Sequence, residues 1–334
     1  MEFKLVDKIP YSNSQEKEII PIANIEDGVN LTKESIIYKE EELIKIFSRK
    51  CDHSGGKLCN KNGKIICPLH GWEFDPGSSS YRNVQFIKKE QEFEVKSDYI
   101  EVKNNKRILK LPKSKKNLRI KADLLSHATL LFSSEQFKFA TDPWLQGFAF
   151  ASGWWNSQLA PINWKEELNE CNFIYISHNH PDHLNHFTLQ EIDRDMLFIV
   201  PNFQNKSVLK MLNSFGFKNV QAFDFDSFYR FGDTDLYFSI LKSGDFRDDS
   251  GFYFTYGNFD CLSSVDSNDL NFSRLPQDIT LYCSSFAGGA SGYPLCFETI
   301  SNIDKKKIMI RNITALRASV NNQIKICNPK FFLP

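Results

Sequence analysis

The stretch IYISHNHPDHLNH, residues 174–186, places His178, His180, Asp182 and His183 on one turn, with His186 just beyond. Imidazoles and carboxylates at that density are the ligand types of a divalent-metal site. A second group lies upstream in CDHSGG…CPLHGW and uses two more of the chain's seven histidines. There Cys51 and His53 form C-x-H, Cys67 and His70 form C-x-x-H, and thirteen residues separate His53 from Cys67. Two different metal centres in one chain are what electron movement between them requires.

Two thiols and two imidazoles suit either a Rieske [2Fe–2S] centre, with the cysteines on one iron and the histidines on the other, or tetrahedral zinc. The order of the ligands favours the Rieske centre. It runs Cys-His then Cys-His, whereas zinc fingers run Cys-Cys then His-His. The flanking glycines of HSGG and HGW let backbone N–H groups approach cluster sulfurs and have no finger counterpart. Neutral histidine ligands give such a cluster a potential of roughly −150 to +300 mV, which makes it a one-electron relay. Cys59, inside the intervening loop, reads as a plain thiol.

The elements that must carry these groups fall into two patterns. The first hundred or so residues alternate short apolar runs with Gly, Asn, Asp and Ser, as in KNGKIICPLHGWEF, and read as an all-β domain over residues 1–105. The segment from Lys103 to Lys121 holds nine basic residues and no acidic one, and its part 106–121 reads as a basic linker. It is either a solvated connector or a docking strip for an acidic redox partner or a nucleotide phosphate. Residues 122–334 then mix strands such as NFIYIS with the amphipathic helix NKSVLKMLNSFG, which fits a two-sheet sandwich flanked by helices.

Composition narrows the classes further. Lysine plus arginine and aspartate plus glutamate are 41 each, so no net charge argues for nucleic acid. No apolar run is long enough for a signal peptide or membrane span, and eight dispersed cysteines do not form a disulfide framework. A cytoplasmic location is expected, with no membrane and no nucleic-acid partner.

SHNHPDH follows the apolar strand NFIYI, so its ligands occupy the loop at a strand's carboxyl end. This resembles the H-x-H-x-D-H motif of the metallo-β-lactamase superfamily and implies an αββα sandwich holding one or two metals. HATLLFSSEQFKFATDPW resembles the opening hairpin of its lactonase-like branch, ending at Thr141, Asp142 and Pro143. CLSSVDSN resembles the strand that delivers the metal-bridging aspartate, here Asp266. All histidines are spent by position 186, so the later ones that complete a zinc hydrolase are missing. Where the third ligand is due the chain reads LKSGDFRDDSG, which makes Asp245 the expected substitute and Asp248 or Asp249 the fallbacks. His178, His180 and Asp245 would form the two-histidine, one-carboxylate set of non-haem Fe(II) oxygenases. Asp182, His183 and Asp266 would bind a second metal or remain polar neighbours of the first. His127 is either a core histidine or a group beside the metal, Asp142 either caps a turn or stands near the site, and His186 reads as a solvent-side helix residue.

The stretches TDPWLQGFAFASGWWNS, IYISHNHPDHL and SSFAGGASGYP, joined to a Rieske motif, resemble the CMP-N-acetylneuraminate hydroxylase family. The resemblance runs to about KICNPKFF, after which the family's chains continue, so this chain reads as shortened at its C-terminus. It implies an iron-dependent monooxygenase acting on an unactivated C–H bond, the N-acetyl methyl of a CMP-sialic acid-type or related N-acyl substrate. Electrons would pass from a donor such as cytochrome b5 or ferredoxin, with a reductase, through the [2Fe–2S] cluster to one or two non-haem irons, with O2 as co-substrate. The reaction needs two electrons and the cluster carries one, so repeated reduction, a second iron or a neighbouring subunit of a homo-oligomer must supply the other. Trp154 and Trp155 could stack on a base or sugar face, and Gly288 and Gly289 could turn N–H groups to a phosphate or carboxylate. The alternatives are a lactonase-like hydrolase with a redox-regulatory Rieske domain, against which the missing histidines count, and a non-enzymatic electron carrier, against which the full HNHPDH counts.

Overall fold

The computed structural model describes residues 6–9, 14–52, 55–68, 71–106, 111–243, 248–267, 270–271, 274–285 and 293–334. The chain divides into two compact units: Ser12–Leu109 with Asn271–Leu275, and the remainder, Met1–Tyr11, Lys110–Leu270 and Pro276–Pro334.

The smaller unit is built from antiparallel strands. Gly28–Leu31, Ser35–Glu40 and Leu43–Ser48 form one sheet, Phe93–Val95, Tyr99–Lys106 and Ser14–Pro21 a second, and Cys59–Lys61, Lys64–Ile66, Glu73–Asp75 and Ser80–Tyr81 a third. Successive residues of a strand face opposite sides, and the central hairpin uses both. Ile36 and Phe47 join Leu58, Phe74 and Tyr81 in one core, while their neighbours Ile37 and Ile46 join Ile20, Ile100 and Val102 in another. Cys51 and Cys67 belong to the first of these cores.

The larger unit is a sandwich of two sheets. One runs in the order Ile120–Ser126, Thr129–Ser134, Lys138–Thr141, Phe173–Tyr175, Phe198–Pro201, Val220–Phe223, antiparallel at first and parallel from Lys138–Thr141 onward. The other runs Val6–Ile9, Phe228–Arg230, Leu236–Lys242, Ser250–Tyr256, Phe259–Val265, Leu281–Ser284, Phe331–Leu333. The phenylalanine richness of the sequence is spent between them: Phe132, Phe139 and Phe173 of one sheet pack with Phe238, Phe252 and Phe254 of the other, Phe139 stacking on Phe173 at 4.7 Å. Alternate residues Ile174 and Ile176 face outward, where α1 (Trp164–Asn169) and α3 (Ser207–Ser214) cover them with Trp164, Leu168, Val208 and Leu212. Between α1 and α3 lies the one-turn α2 (His186–Leu189), and α4 (Asn302–Cys327) buries Val320, Gln323 and Cys327, with Tyr282 Oη donating to Gln323 Oε1. The result is an αββα sandwich, as the resemblance to the metallo-β-lactamase superfamily implies.

Two boundaries differ from those read in the sequence. Val6–Ile9 pairs with Phe228–Arg230 as the edge strand of the sandwich, not with the first domain of residues 1–105. Backbone pairing of an edge strand leaves no side-chain signature, so the sequence does not reveal the partner. The expected linker 106–121 begins and ends inside strands, since Tyr99–Lys106 and Ile120–Ser126 reach into it; residues 107–110 lie outside the described residues. From Pro112 onward the segment is strapped to the sandwich. Thr255 Oγ1 donates to Pro112 O at 2.7 Å, Ser114 N to Gly257 O at 3.0 Å, and Lys113 Nζ lies 2.6 Å from Asp260. Asp260 is fully buried and also accepts from Thr280 N and Oγ1, each at 2.9 Å. Removing that carboxylate leaves several donors without an acceptor. Asp260→Ala should therefore lower the unfolding free energy by about 3 kcal/mol in urea denaturation. A loss below about 1 kcal/mol would mean that water replaces the carboxylate at little cost.

Candidate metal centres

The described residues of the two cysteine loops make matching backbone hydrogen bonds. Cys51 N donates to Gly56 O at 2.8 Å and Gly55 N to Cys51 O at 2.8 Å; Cys67 N donates to Trp72 O at 2.8 Å and Gly71 N to Cys67 O at 2.9 Å. Gly55 and Gly71 have φ of +70° and +72°, left-handed values that favour glycine. Each knuckle so formed carries a buried thiol at its start. Two equivalent thiols in one core, each in a glycine-turned loop, fit the cysteine half of a two-iron cluster. His53 and His70 lie outside the described residues. Cys59 spends its thiol on Ile66 O at 3.5 Å, as a plain thiol would.

Around Cys51 the structure adds groups the sequence reading missed. Tyr81 Oη lies 2.8 Å from Asp52 Oδ2 and 3.7 Å from Cys51 Sγ. The same Asp52 oxygen is 2.8 Å from Nζ of Lys88, a lysine only 3% exposed, which also donates to Lys50 O at 2.6 Å. Burial, with Asp52 and Cys51 nearby, holds the Tyr81 phenol above its ordinary range, so it stays protonated.

In the sandwich, the ligand loop starts where strand Phe173–Tyr175 ends. His183 N donates to His180 O at 3.0 Å, closing a four-residue turn with Pro181 in its second position, where a fixed φ suits it. That turn folds Asp182 and His183 back toward His178. Asn185 then caps α2, its side chain accepting from Thr188 N at 3.0 Å. Asp266 arrives from the opposite sheet on Val265, whose φ of +49° is unusual for a β-branched residue and follows a slip in strand register after Ser263. His127, with φ +44°, sits at the tip of the hairpin between Ile120–Ser126 and Thr129–Ser134.

These elements bring the side chains together. His178 Nε2 is 2.8 Å from His180 Nδ1, while its Nδ1 is 2.9 Å from Ser177 Oγ and 3.6 Å from Asp249 Oδ1. His183 is wholly buried, with Nε2 3.4 Å from Asp182 Oδ2 and 3.5 Å from Asp266 Oδ2, and Nδ1 3.4 Å from Asp142 Oδ2. His127 Nε2 is 3.1 Å from Asp182 Oδ2. Both His183 nitrogens, Asp142 Oδ2 and Asp182 Oδ1 have no hydrogen-bond partner among the described residues. Buried polar atoms are rarely left so, and here they converge. One ligand atom each from His178, His183 and Asp266 lies within 4.8 Å of the others, as does one each from His127, Asp182 and His183. Two nitrogens and a carboxylate oxygen in each group fit a first-row transition metal.

Protonation follows the same geometry. Burial, then the neighbouring His183 and His180, push His178 down to about 2, so it is neutral with a free lone pair. For His183 burial also opposes protonation, but Asp142, Asp182 and Asp266 outweigh it and hold the metal-free ring well above its usual value. Asp182 and Asp266 are held low despite burial, Asp182 by His127 and His183 and Asp266 by His183.

The remaining expected residues divide as follows. Asp142 stands near the site: its Oδ1 accepts from Ser177 N at 2.7 Å across the neighbouring parallel strands, and its Oδ2 faces His183. His127 stands beside the ligands and outside the apolar cores. His186 is exposed on α2, as expected. Asp245, Gly288 and Gly289 lie outside the described residues. Of the fallbacks, Asp248 is held by Asn205, whereas Asp249 is buried against His178 Nδ1, the nitrogen turned toward Ser177. Asp249 thus sits where a carboxylate orients a histidine from behind. Trp154 lies 6.2 Å from the His127 ring, and Trp155 is 66% exposed and packs on Phe148 at 5.5 Å. A cavity of about 250 Å³ is lined by His183, Asp266, Leu130 and Val265, and another of about 240 Å³ by Trp144, Trp154 and Trp155; Leu124 and His127 border both. Ser177 and Asp249 were not singled out as partners of His178, although Ser177 directly precedes it. No helix among the described residues is long and apolar enough to cross a membrane.

Residues 16–98 match the family described as Rieske [2Fe-2S] domain. Over 305 residues the chain is 30% identical to the cytidine monophosphate-N-acetylneuraminic acid hydroxylase of Mus musculus, covering 83% of this chain and 52% of that protein. The Xenopus laevis protein of the same name is 30% identical over 299 residues, 83% of this chain and 49% of that one. The chain thus spans about half the length of the curated relatives it matches. Among solved structures, CmlA, a diiron beta-hydroxylase from Streptomyces venezuelae, is 18% identical with a TM-score of 0.43, covering 66% of this chain and 44% of that one. A possible metal-dependent hydrolase from Veillonella parvula is 16% identical with a TM-score of 0.42, over 65% and 97% of the two chains. The chain carries a Rieske domain and, across 83% of its length, is a homologue of the cytidine monophosphate-N-acetylneuraminic acid hydroxylases.

Proposed function

We propose that the chain is an iron-dependent monooxygenase that hydroxylates an unactivated C–H bond of an N-acyl small molecule, of which the N-acetyl methyl of a CMP-sialic acid-type sugar nucleotide is the first candidate. The observation that carries this reading is the union in one chain of a Rieske domain with a histidine and aspartate cluster in which four buried polar atoms lack hydrogen-bond partners among the described residues. Bound non-haem iron would supply open coordination positions and a change of oxidation state. The protein supplies the rest. Ser177 holds His178 Nδ1 with Asp249 behind, its Nε2 faces His180 Nδ1 at 2.8 Å, and Asp142 Oδ2 faces His183 Nδ1 at 3.4 Å. Leu130 and Val265 line the adjoining cavity and offer a methyl group apolar contacts beside the histidine and aspartate cluster. Trp154 and Trp155 border the neighbouring cavity, where a planar ring can lie against them, and Gly288 and Gly289 remain candidates for a phosphate or carboxylate contact. A donor such as cytochrome b5 or ferredoxin with its reductase would reduce the cluster, and a homo-oligomer is one way to supply the second electron. A reducing, cytoplasmic setting goes with six cysteines beside the two of the cluster loops that form no disulfide among the described residues.

The experiment is metal analysis of protein purified without oxygen, followed by reaction of the reduced protein with CMP-N-acetylneuraminate and labelled O2. Iron at about three or four per chain, two of them in the cluster, and label in an N-glycolyl product are expected. Zinc in the sandwich after expression with iron in excess, together with oxygen-independent hydrolysis, would transfer the chain to the lactonase-like reading.

A further inference from the structure

The hydrolases of the metallo-β-lactamase superfamily complete their metal sites with histidines that come late in the sequence, and this chain has none after His186. We propose that His127, from the hairpin upstream of the motif, is a metal ligand that joins Asp182 and His183 in a cation position of its own, next to the one served by His178 and His180, with Asp266 between them.

Three observations carry this. His127 Nε2 approaches Asp182 at 3.1 Å on Oδ2, the same oxygen that faces His183 Nε2 at 3.4 Å, so all three donors look into one space. Asp182 Oδ1 and His183 Nε2 belong to residues 3% and 0% exposed and have no hydrogen-bond partner among the described residues, a state that a cation would relieve. His127 is exposed at the hairpin tip, but its ring lies edge-on to Trp144 at 5.1 Å and to His183 at 5.6 Å, contacts that reduce the entropy its nitrogen loses on binding a cation. Two imidazoles and one carboxylate are the donor set of a divalent first-row metal with open positions. Because His127 borders both cavities, that ion would stand where they meet.

The inference rests on the reading of the sandwich as a metal centre, and the test separates the two. Full-length protein with its cluster in place is stripped of other metals and titrated with Co(II), following d–d absorption and bound cobalt per chain. The wild type should bind about two ions. His127→Ala and His127→Gln should bind about one, with the second at least about 100-fold weaker, while His127→Asp, which restores a ligand, should recover it. His178→Ala should lose the other ion and keep this one. The visible spectrum of the Rieske cluster and the far-ultraviolet circular dichroism report that each variant is folded. Two ions bound with unchanged affinity in His127→Ala would overturn the assignment, and so would a wild type that binds one. A wild type that binds none would overturn the metal centre itself.

Discussion

His178→Ala protein purified without oxygen should keep the two irons of the Rieske cluster, lose the ion held by His178, and lose the proposed hydroxylation. The reason is specific to this histidine. It is 2% exposed and kept neutral down to about 2 by burial and by His183 and His180, so protons do not compete with metal for it at any working pH. Its Nδ1 is held by Ser177, with Asp249 behind, which makes Nε2, turned to His180 Nδ1 at 2.8 Å, the atom proposed to ligate. Deleting the ring should weaken iron binding at least about 100-fold, and Ser177→Ala, which only frees the ring to turn, about 10- to 100-fold. His183 adds a pH dependence of opposite character. Without metal its carboxylate neighbours hold it protonated, so a cation ligated by it must displace that proton. Metal affinity should fall about tenfold per unit as pH is lowered below the point where His183 ionises, and competition with a chelator across pH measures this. A flat profile with intact binding in His178→Ala would sink the assignment of both histidines.

Sequence and structure agree where chemistry is written contiguously. His178, His180, Asp182 and His183 share one turn because Pro181 and the His180–His183 hydrogen bond are local, and the strand before them is a plain apolar run. The cysteine knuckles were legible for the same reason, since Gly55 and Gly71 sit at fixed offsets from Cys51 and Cys67. What stayed hidden depends on chain closure. Lys88 and Tyr81 come from outside the ligand loops to meet Asp52, and nothing near CDH announces them. Asp249 and Asp245 are equivalent carboxylates in the string LKSGDFRDDSG, and only the pairing of Ser250–Tyr256 within its sheet turns Asp249 toward His178. The basic segment looked like a solvated connector because a lysine count does not include Asp260 and Asp235, which come from distant strands.

Asp52→Ala should raise the midpoint potential of the Rieske cluster by about 100 mV. Asp52 directly follows Cys51, a proposed cluster ligand, and its carboxylate binds both Lys88 Nζ and the Tyr81 hydroxyl at 2.8 Å. A unit charge at about 7 Å in an effective dielectric near 20 is worth roughly 2.4 kcal/mol, or about 100 mV for one electron. Reduction adds negative charge to the cluster, so losing a nearby anion favours the reduced form. One further change acts in the same direction. The Tyr81 proton, released from the carboxylate, becomes available to Cys51 Sγ, 3.7 Å away. A hydrogen bond to sulfur stabilises the reduced cluster by about 1 kcal/mol, or roughly 40 mV. Adding Tyr81→Phe to Asp52→Ala should therefore take back about that much, whereas in the wild type, where the hydroxyl is committed to Asp52, the same substitution should move the potential much less. A redox titration followed by electron paramagnetic resonance on the four proteins reads the coupling directly. An unchanged or lowered potential in Asp52→Ala would show that solvent screens this partly exposed carboxylate from the cluster, and equal Tyr81→Phe shifts in both backgrounds would show that the phenol never switches partners.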